Sequence, residues 1–141
     1  MRSVKSVRKK FMAMDENDIM YEIRGACFEV FRELGPGLFE SVYAAALKIA
    51  LEEKDLEVAK EVDVPVYFRV KSLDIGFRMD LLVEEKVIIE VKSVKAIEEV
   101  HKKQLLTYLK LSNKKLGLLV NFNCSELTDK VSMFRIINGI I

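Results

Sequence analysis

The chain has 141 residues, with 23 Lys and Arg against 22 Asp and Glu and one histidine, for a formal net charge of +1. That length reads as one domain able to bury a core without disulfide or metal staples. A near-neutral balance is evidence against nucleic-acid binding, which normally draws on clustered lysine and arginine, and the lone His101 excludes a two-histidine metal site and makes a catalytic triad a poor reading.

Five positive charges, Arg2, Lys5, Arg8, Lys9 and Lys10, fall in the first ten residues and leave the remainder net acidic. Residues 1–14 therefore read as a basic N-terminal tail, a flexible arm or an over-extended start, because Met12 and Met14 offer later initiations. Residues 15–141 read as the domain. Cys27 and Cys124 are far apart, lack zinc spacing and sit among apolar neighbours, as reduced buried thiols do. No apolar run reaches membrane-spanning length and the N-terminus lacks the apolar stretch of a signal peptide, so the protein is expected to be soluble and cytoplasmic.

In chain order, helices are predicted over Asn17 to Leu34 and Phe39 to Lys54, separated by the breaker Gly35-Pro36-Gly37. On the second helix Glu40, Tyr43 and Leu47 share one face. Strands follow near Glu57 to Val62 and Val66 to Val70, with Pro65 marking a break or an edge between them. Two further strands, Ile75 to Val83 and Val87 to Lys92, flank the polar run Glu84-Glu85-Lys86 and give a hairpin signal. A helix over Ala96 to Leu111 then carries a stripe through Ile97, Val100, Gln104, Tyr108 and Leu111. That stripe is apolar apart from Gln104 and the tyrosine hydroxyl. Strands near Lys115 to Phe122 and Phe134 to Asn138 close the chain. Long helices with several strands between them predict an α/β fold, a mixed central sheet flanked by helices.

The strand Val87-Ile88-Ile89-Glu90-Val91-Lys92 holds an acid and a base on one face of an apolar run. Charged residues are rarely buried unless they are paired or bind a metal. If the preceding loop has an odd number of residues, Val83 faces Val87 and Asp80 falls opposite Glu90. One surface then holds Asp80, Glu90 and Lys92, whereas a two-residue loop separates them. Glu-x-Lys also occurs at Glu52 and Glu84, so the motif alone is weak, and a solvated edge-strand face with a cross-strand ion pair fits Glu90 and Lys92 equally well. Glu40 also suits a first-turn helix acid, Tyr43 and Tyr108 suit core aromatics, and His101 suits packing.

Gly37-Leu38-Phe39-Glu40-Ser41-Val42-Tyr43, followed in order by Asp80, Glu90-Val91-Lys92 and Gln104 to Tyr108, resembles the GxxExxY proteins of the PD-(D/E)XK nuclease superfamily. The likeness runs from about Ile19 to Gly139 and takes in Gly117 to Asn123 and Arg135 to Asn138. The resemblance implies a restriction-endonuclease-like core and a metal-dependent nuclease, with DNA the favoured substrate. In that reading Asp80, Glu90 and the Val91 carbonyl hold Mg²⁺, which Mn²⁺ can replace, and Glu40 completes the acidic cluster directly or through water. Lys92 orients the water or stabilises charge on the phosphate. Tyr43, Gln104 and Tyr108 position the phosphate or the ligands. Small nucleases of this superfamily often pair to address two strands, so a homodimer is compatible with the resemblance. The competing reading is an inactive nucleic-acid-binding or protein-interaction module on the same fold.

Overall fold

The computed structural model of the protein describes residues 13–141; the predicted basic arm lies almost wholly outside them. Helix α1, Glu16–Leu34, starts from a reciprocal cap in which Asp15 accepts from the Asp18 N–H and Asp18 from the Asp15 N–H. It ends at Gly35, where φ is +67° and the N–H bonds the Phe31 carbonyl. Ile19, Ile23, Ala26, Cys27 and Val30 recur at helical spacing and form its buried face. Helix α2, Glu40–Glu52, packs beside it through Tyr43, Leu47 and Leu51.

The sheet has five strands in the order β1, β2, β3, β4, β5, which are Val58–Phe68, Lys71–Val83, Val87–Lys92, Leu116–Asn121 and Met133–Ile137. The β3–β4 pair is parallel and all others are antiparallel, so the sheet is mixed. Helix α3, Glu99–Ser112, makes the crossover between the two parallel strands. Leu81, Val83, Ile89, Val91, Leu118 and Val120 pack on α1 and α2. Leu82, Ile88 and Leu119 face the other way, onto Leu105 and Leu109 of α3. Because both faces are covered, β3 and β4 are apolar almost throughout.

Three expectations are corrected. The two strands predicted on either side of Pro65 are one long edge strand, because an edge strand has ladder positions at which a missing N–H costs nothing; the register shifts beside Pro65 instead of breaking. Its partner β2 accordingly starts at Lys71. Gly76 sits opposite Pro65, where a Cβ would lie 2.2 Å from the Val64 carbonyl oxygen, so only glycine lets the backbones approach. Finally, α3 starts at Glu99, and its buried residues are Leu105 and Leu109. Of the predicted stripe, Gln104, Val100 (62%) and Leu111 (49%) lie on the adjoining, exposed side, whereas Tyr108 and Ile97, the latter ahead of the helix, pack partly buried against the sheet. His101 is a capping residue: its Nδ1 accepts the Glu98 N–H at 2.9 Å.

Candidate active site

The β2–β3 loop is the odd one. Val83 pairs with Val87, Leu82 with Ile88 and Leu81 with Ile89, so Asp80 and Glu90 stand opposite each other one step further along. The loop lacks glycine, yet Glu84 and Glu85 take φ values of +52° and +59°. Tertiary bonds hold it there: the Glu84 N–H donates to the Glu57 carbonyl at 2.8 Å, and the Glu84 carboxylate accepts the Glu57 N–H at 2.7 Å.

Each acid grips the neighbouring backbone. The Val91 N–H donates to Asp80 Oδ2 at 2.8 Å, and the Asp80 N–H donates to Glu90 Oε1 at 3.3 Å. Their carboxyl groups also hydrogen-bond to each other. Glu90 lies in the central strand and is only 6% exposed, which rules out the solvated edge-strand reading. Burial, then the charge of Asp80, pushes the Glu90 carboxyl up to about 8; burial likewise raises Asp80. Lys92 is near enough to pull both acids down, though not by enough to cancel burial.

Glu40 reaches this region from the start of α2. Its charge is felt by Asp80, while its Oε1 accepts the Ser93 N–H at 3.3 Å just beyond β3. Among the described residues no three acidic, histidine or cysteine side chains come together as a metal cage. The structure therefore assembles a carboxylate pair with Glu40 beside it. Two buried acids that share hydrogen bonds, offer only oxygen donors and lack a full counter-charge form a donor set that fits a hard divalent cation.

Tyr108 on α3 also faces the pair. Burial and the charges of Glu90 and Asp80 raise its hydroxyl pKa, and its ring stacks on Phe77 with centroids 4.0 Å apart. Gln104 is exposed one turn earlier, away from the buried stripe that would have demanded a partner for its amide. Tyr43 is placed elsewhere: it is fully buried and stacked on Phe122 at 4.4 Å. Its hydroxyl donates to the Gly35 carbonyl and accepts the Leu38 N–H, so it closes the Gly35–Gly37 loop that delivers Glu40.

Two residues that the sequence did not single out also shape the site. Asn121 is buried in an otherwise apolar strand; its Oδ1 accepts from Val94 and Asn123, and its Nδ2 donates to the Val94 carbonyl at 3.0 Å. Ser93 Oγ donates to the Leu38 carbonyl at 2.8 Å. Ser93 fastens the chain after Lys92 to the loop before Glu40, and Asn121 fastens it to the end of β4. The available signal was a polar amide in an apolar strand, which needs partners.

Residues 17–134 match the family model of the PD-(D/E)XK nuclease superfamily, and the chain belongs to that superfamily. The solved structure of SSO0001 is similar in fold, with a TM-score of 0.53 at 18% identity, covering 97% of this chain and 76% of that one. No curated protein matches the sequence significantly. No helix among the described residues is long and apolar enough to cross a membrane.

Proposed function

We propose that the protein is a metal-dependent nuclease of the GxxExxY type that hydrolyses nucleic-acid phosphodiester bonds, with DNA favoured over RNA. The observation that carries this reading is the buried pair Asp80 and Glu90 on facing strands, with Lys92 beside it. Asp80, Glu90 and the Val91 carbonyl would hold Mg²⁺, or Mn²⁺ in its place. The bound cation supplies the positive charge that lowers the pKa of a water and offsets charge growing on phosphate. Lys92 is placed to orient that water or to steady the phosphate, because its ammonium already acts on both carboxylates. Glu40, tethered at Ser93, shapes the acidic side of the site and takes a ligand role through water. Tyr108 presents a hydroxyl donor toward the pair, and Gln104 offers an amide on the exposed side of the same helix. The role of Tyr43 is to hold the loop ahead of Glu40.

The test is to incubate the protein and its Glu90→Ala and Lys92→Ala variants with labelled single-stranded, duplex and branched DNA and RNA, in Mg²⁺, Mn²⁺ or EDTA. Metal-dependent cleavage that vanishes in both variants is the expected result. Cleavage retained by Glu90→Ala, free of contaminating nuclease, would sink the proposal. The absence of a three-residue metal cage among the described residues favours one second reading, a module on the same fold that binds without cutting. Calorimetry separates the two: that module takes up no divalent cation. A homodimer belongs to the same proposal, and light scattering at high concentration tests it.

A further inference from the structure

A groove of about 810 Å³ wraps the outer edge of β5, between Arg24 of α1 and Lys102 of α3. Met133 and Phe134 form its floor, one packing toward α1 and α2 and the other toward α3. Its charge runs against the rest of the chain. The whole chain is +1 and its first ten residues carry five positive charges, so the remainder is −4 (+1 less 5). Yet Arg24, Lys102, Lys130 and Arg135 all line this one groove. Two are compensated: Arg24 by Asp129, and Lys102 by Glu99 at 3.1 Å. Lys130 has no ion-pair partner among the described residues, and Arg135 donates only to the neutral side chain of Asn17. Two uncompensated cations beside each other suit a ligand that has repeated anions, while the Lys102 ammonium, 4.0 Å from the centre of the Phe134 ring, already covers that aromatic face.

The sheet fixes where this groove lies relative to the acids. Glu90 pairs with Leu119 and Leu119 with Phe134, so the groove floor is two strands from Glu90 in the same cross-strand row. Leu119 between them is buried beneath α3, so a strand that reaches both the acids and the groove passes around that helix, farther than the about 10 Å of two strand spacings. We infer that the β5 groove is a second binding surface for a nucleic-acid strand, gripping its sugar-phosphate backbone outside the carboxylate site. The inference rests on the nuclease reading for its partner but not for its assay, since binding is read without cleavage.

The test uses the full chain in EDTA and follows the anisotropy of a labelled 20-nucleotide strand across a salt series. Lys130→Gln with Arg135→Gln should weaken binding by about tenfold and lower the log–log salt slope by about 1.4, near 0.7 for each phosphate of a single strand that is no longer neutralised. Thermal melting should stay as in the wild type. The control pair Lys60→Gln with Lys110→Gln, exposed and away from the groove, should leave the slope unchanged. Unchanged affinity and slope in the groove variant overturns the groove even if the protein cuts DNA. Binding that weakens as expected, by a protein that cuts nothing in any metal, supports the groove and defeats the catalytic reading. Failure of the wild type to bind any strand, or competition by an acidic peptide as effective as the oligonucleotide at equal charge, overturns the assignment to nucleic acid.

Discussion

Replacing Glu90 with glutamine keeps the side chain's shape and its acceptor for the Asp80 N–H while removing a charge that burial disfavours. A carboxyl whose pKa is raised on folding, here from 4.5 to about 8, binds its proton more tightly in the folded chain than in the unfolded one. Its contribution is fully present below pH 4.5 and is lost as the pH rises through about 8. Each pH unit in that window costs about 1.4 kcal/mol. At pH 7 the wild type should therefore be about 3 kcal/mol less stable than the glutamine variant, and near pH 4.5 the two should be nearly equal. Urea denaturation from pH 4.5 to 8 in EDTA measures this, and the difference between the two proteins reports the Asp80–Glu90 pair, because acids away from it titrate alike in both. Mg²⁺ or Mn²⁺ should stabilise the wild type at pH 7 and leave the variant nearly unmoved. A difference that stays flat with pH, or a variant less stable than the wild type at pH 7, would refute the argument that this carboxyl is buried without sufficient compensation.

Tyr43→Phe removes the hydroxyl that joins the Gly35 carbonyl to the Leu38 N–H and should cost roughly 1–3 kcal/mol in denaturant unfolding. Asn121→Ala strands the Val94 N–H and leaves the Val94 carbonyl with the Asn123 amide alone; a loss of about 1–3 kcal/mol is expected, with faster hydrogen exchange at Val94 than at the β3–β4 ladder. The turn joining β1 and β2 places Arg69 and Val70 at φ values of +52° and +59°, which suit Asn-Gly. Arg69→Asn with Val70→Gly should raise stability by about 1 kcal/mol, read as an increased Tm. Gly76→Ala, by contrast, drives a methyl group into the Val64 carbonyl and should destabilise the protein by at least 2 kcal/mol, as an order of magnitude, with loss of exchange protection along the β1–β2 hairpin.

The sequence made the β2–β3 register legible because a side-chain period of two leaves two choices, and only an odd loop keeps Asp80 and Glu90 together. The extent of α1 was equally plain, since the breaker Gly35-Pro36-Gly37 fixes its end at Leu34 and the predicted start at Asn17 lies one residue from the observed Glu16. Helix α3 was not. It carries two adjoining apolar stripes, one through Val100 and Leu111 and one through Leu105 and Leu109, and periodicity does not say which of them the sheet covers. Pro65 misled for a related reason, because its cost depends on whether its strand lies at an edge, which is a property of the whole sheet. The bonds of Tyr43 and Asn121 join segments distant along the chain or backbone atoms without a residue signature, so only the fold reveals them.

The two acids of the site meet on a local hairpin, ten residues apart, whereas Glu40 bonds to Ser93 across 53 residues and Arg24 meets Asp129 across 105. A hairpin closes in roughly 1–10 μs, well before pairings of long sequence separation have overcome their loop entropy. Asp80 and Glu90 are therefore forced together early, while the barrier to folding is still being climbed. The cost of the proton that Glu90 takes up as it approaches Asp80 weighs on the speed at which the chain folds more than on how long the native state lasts. In a chevron experiment the gain from Glu90→Gln should accordingly appear in the refolding limb, with the unfolding limb almost unmoved.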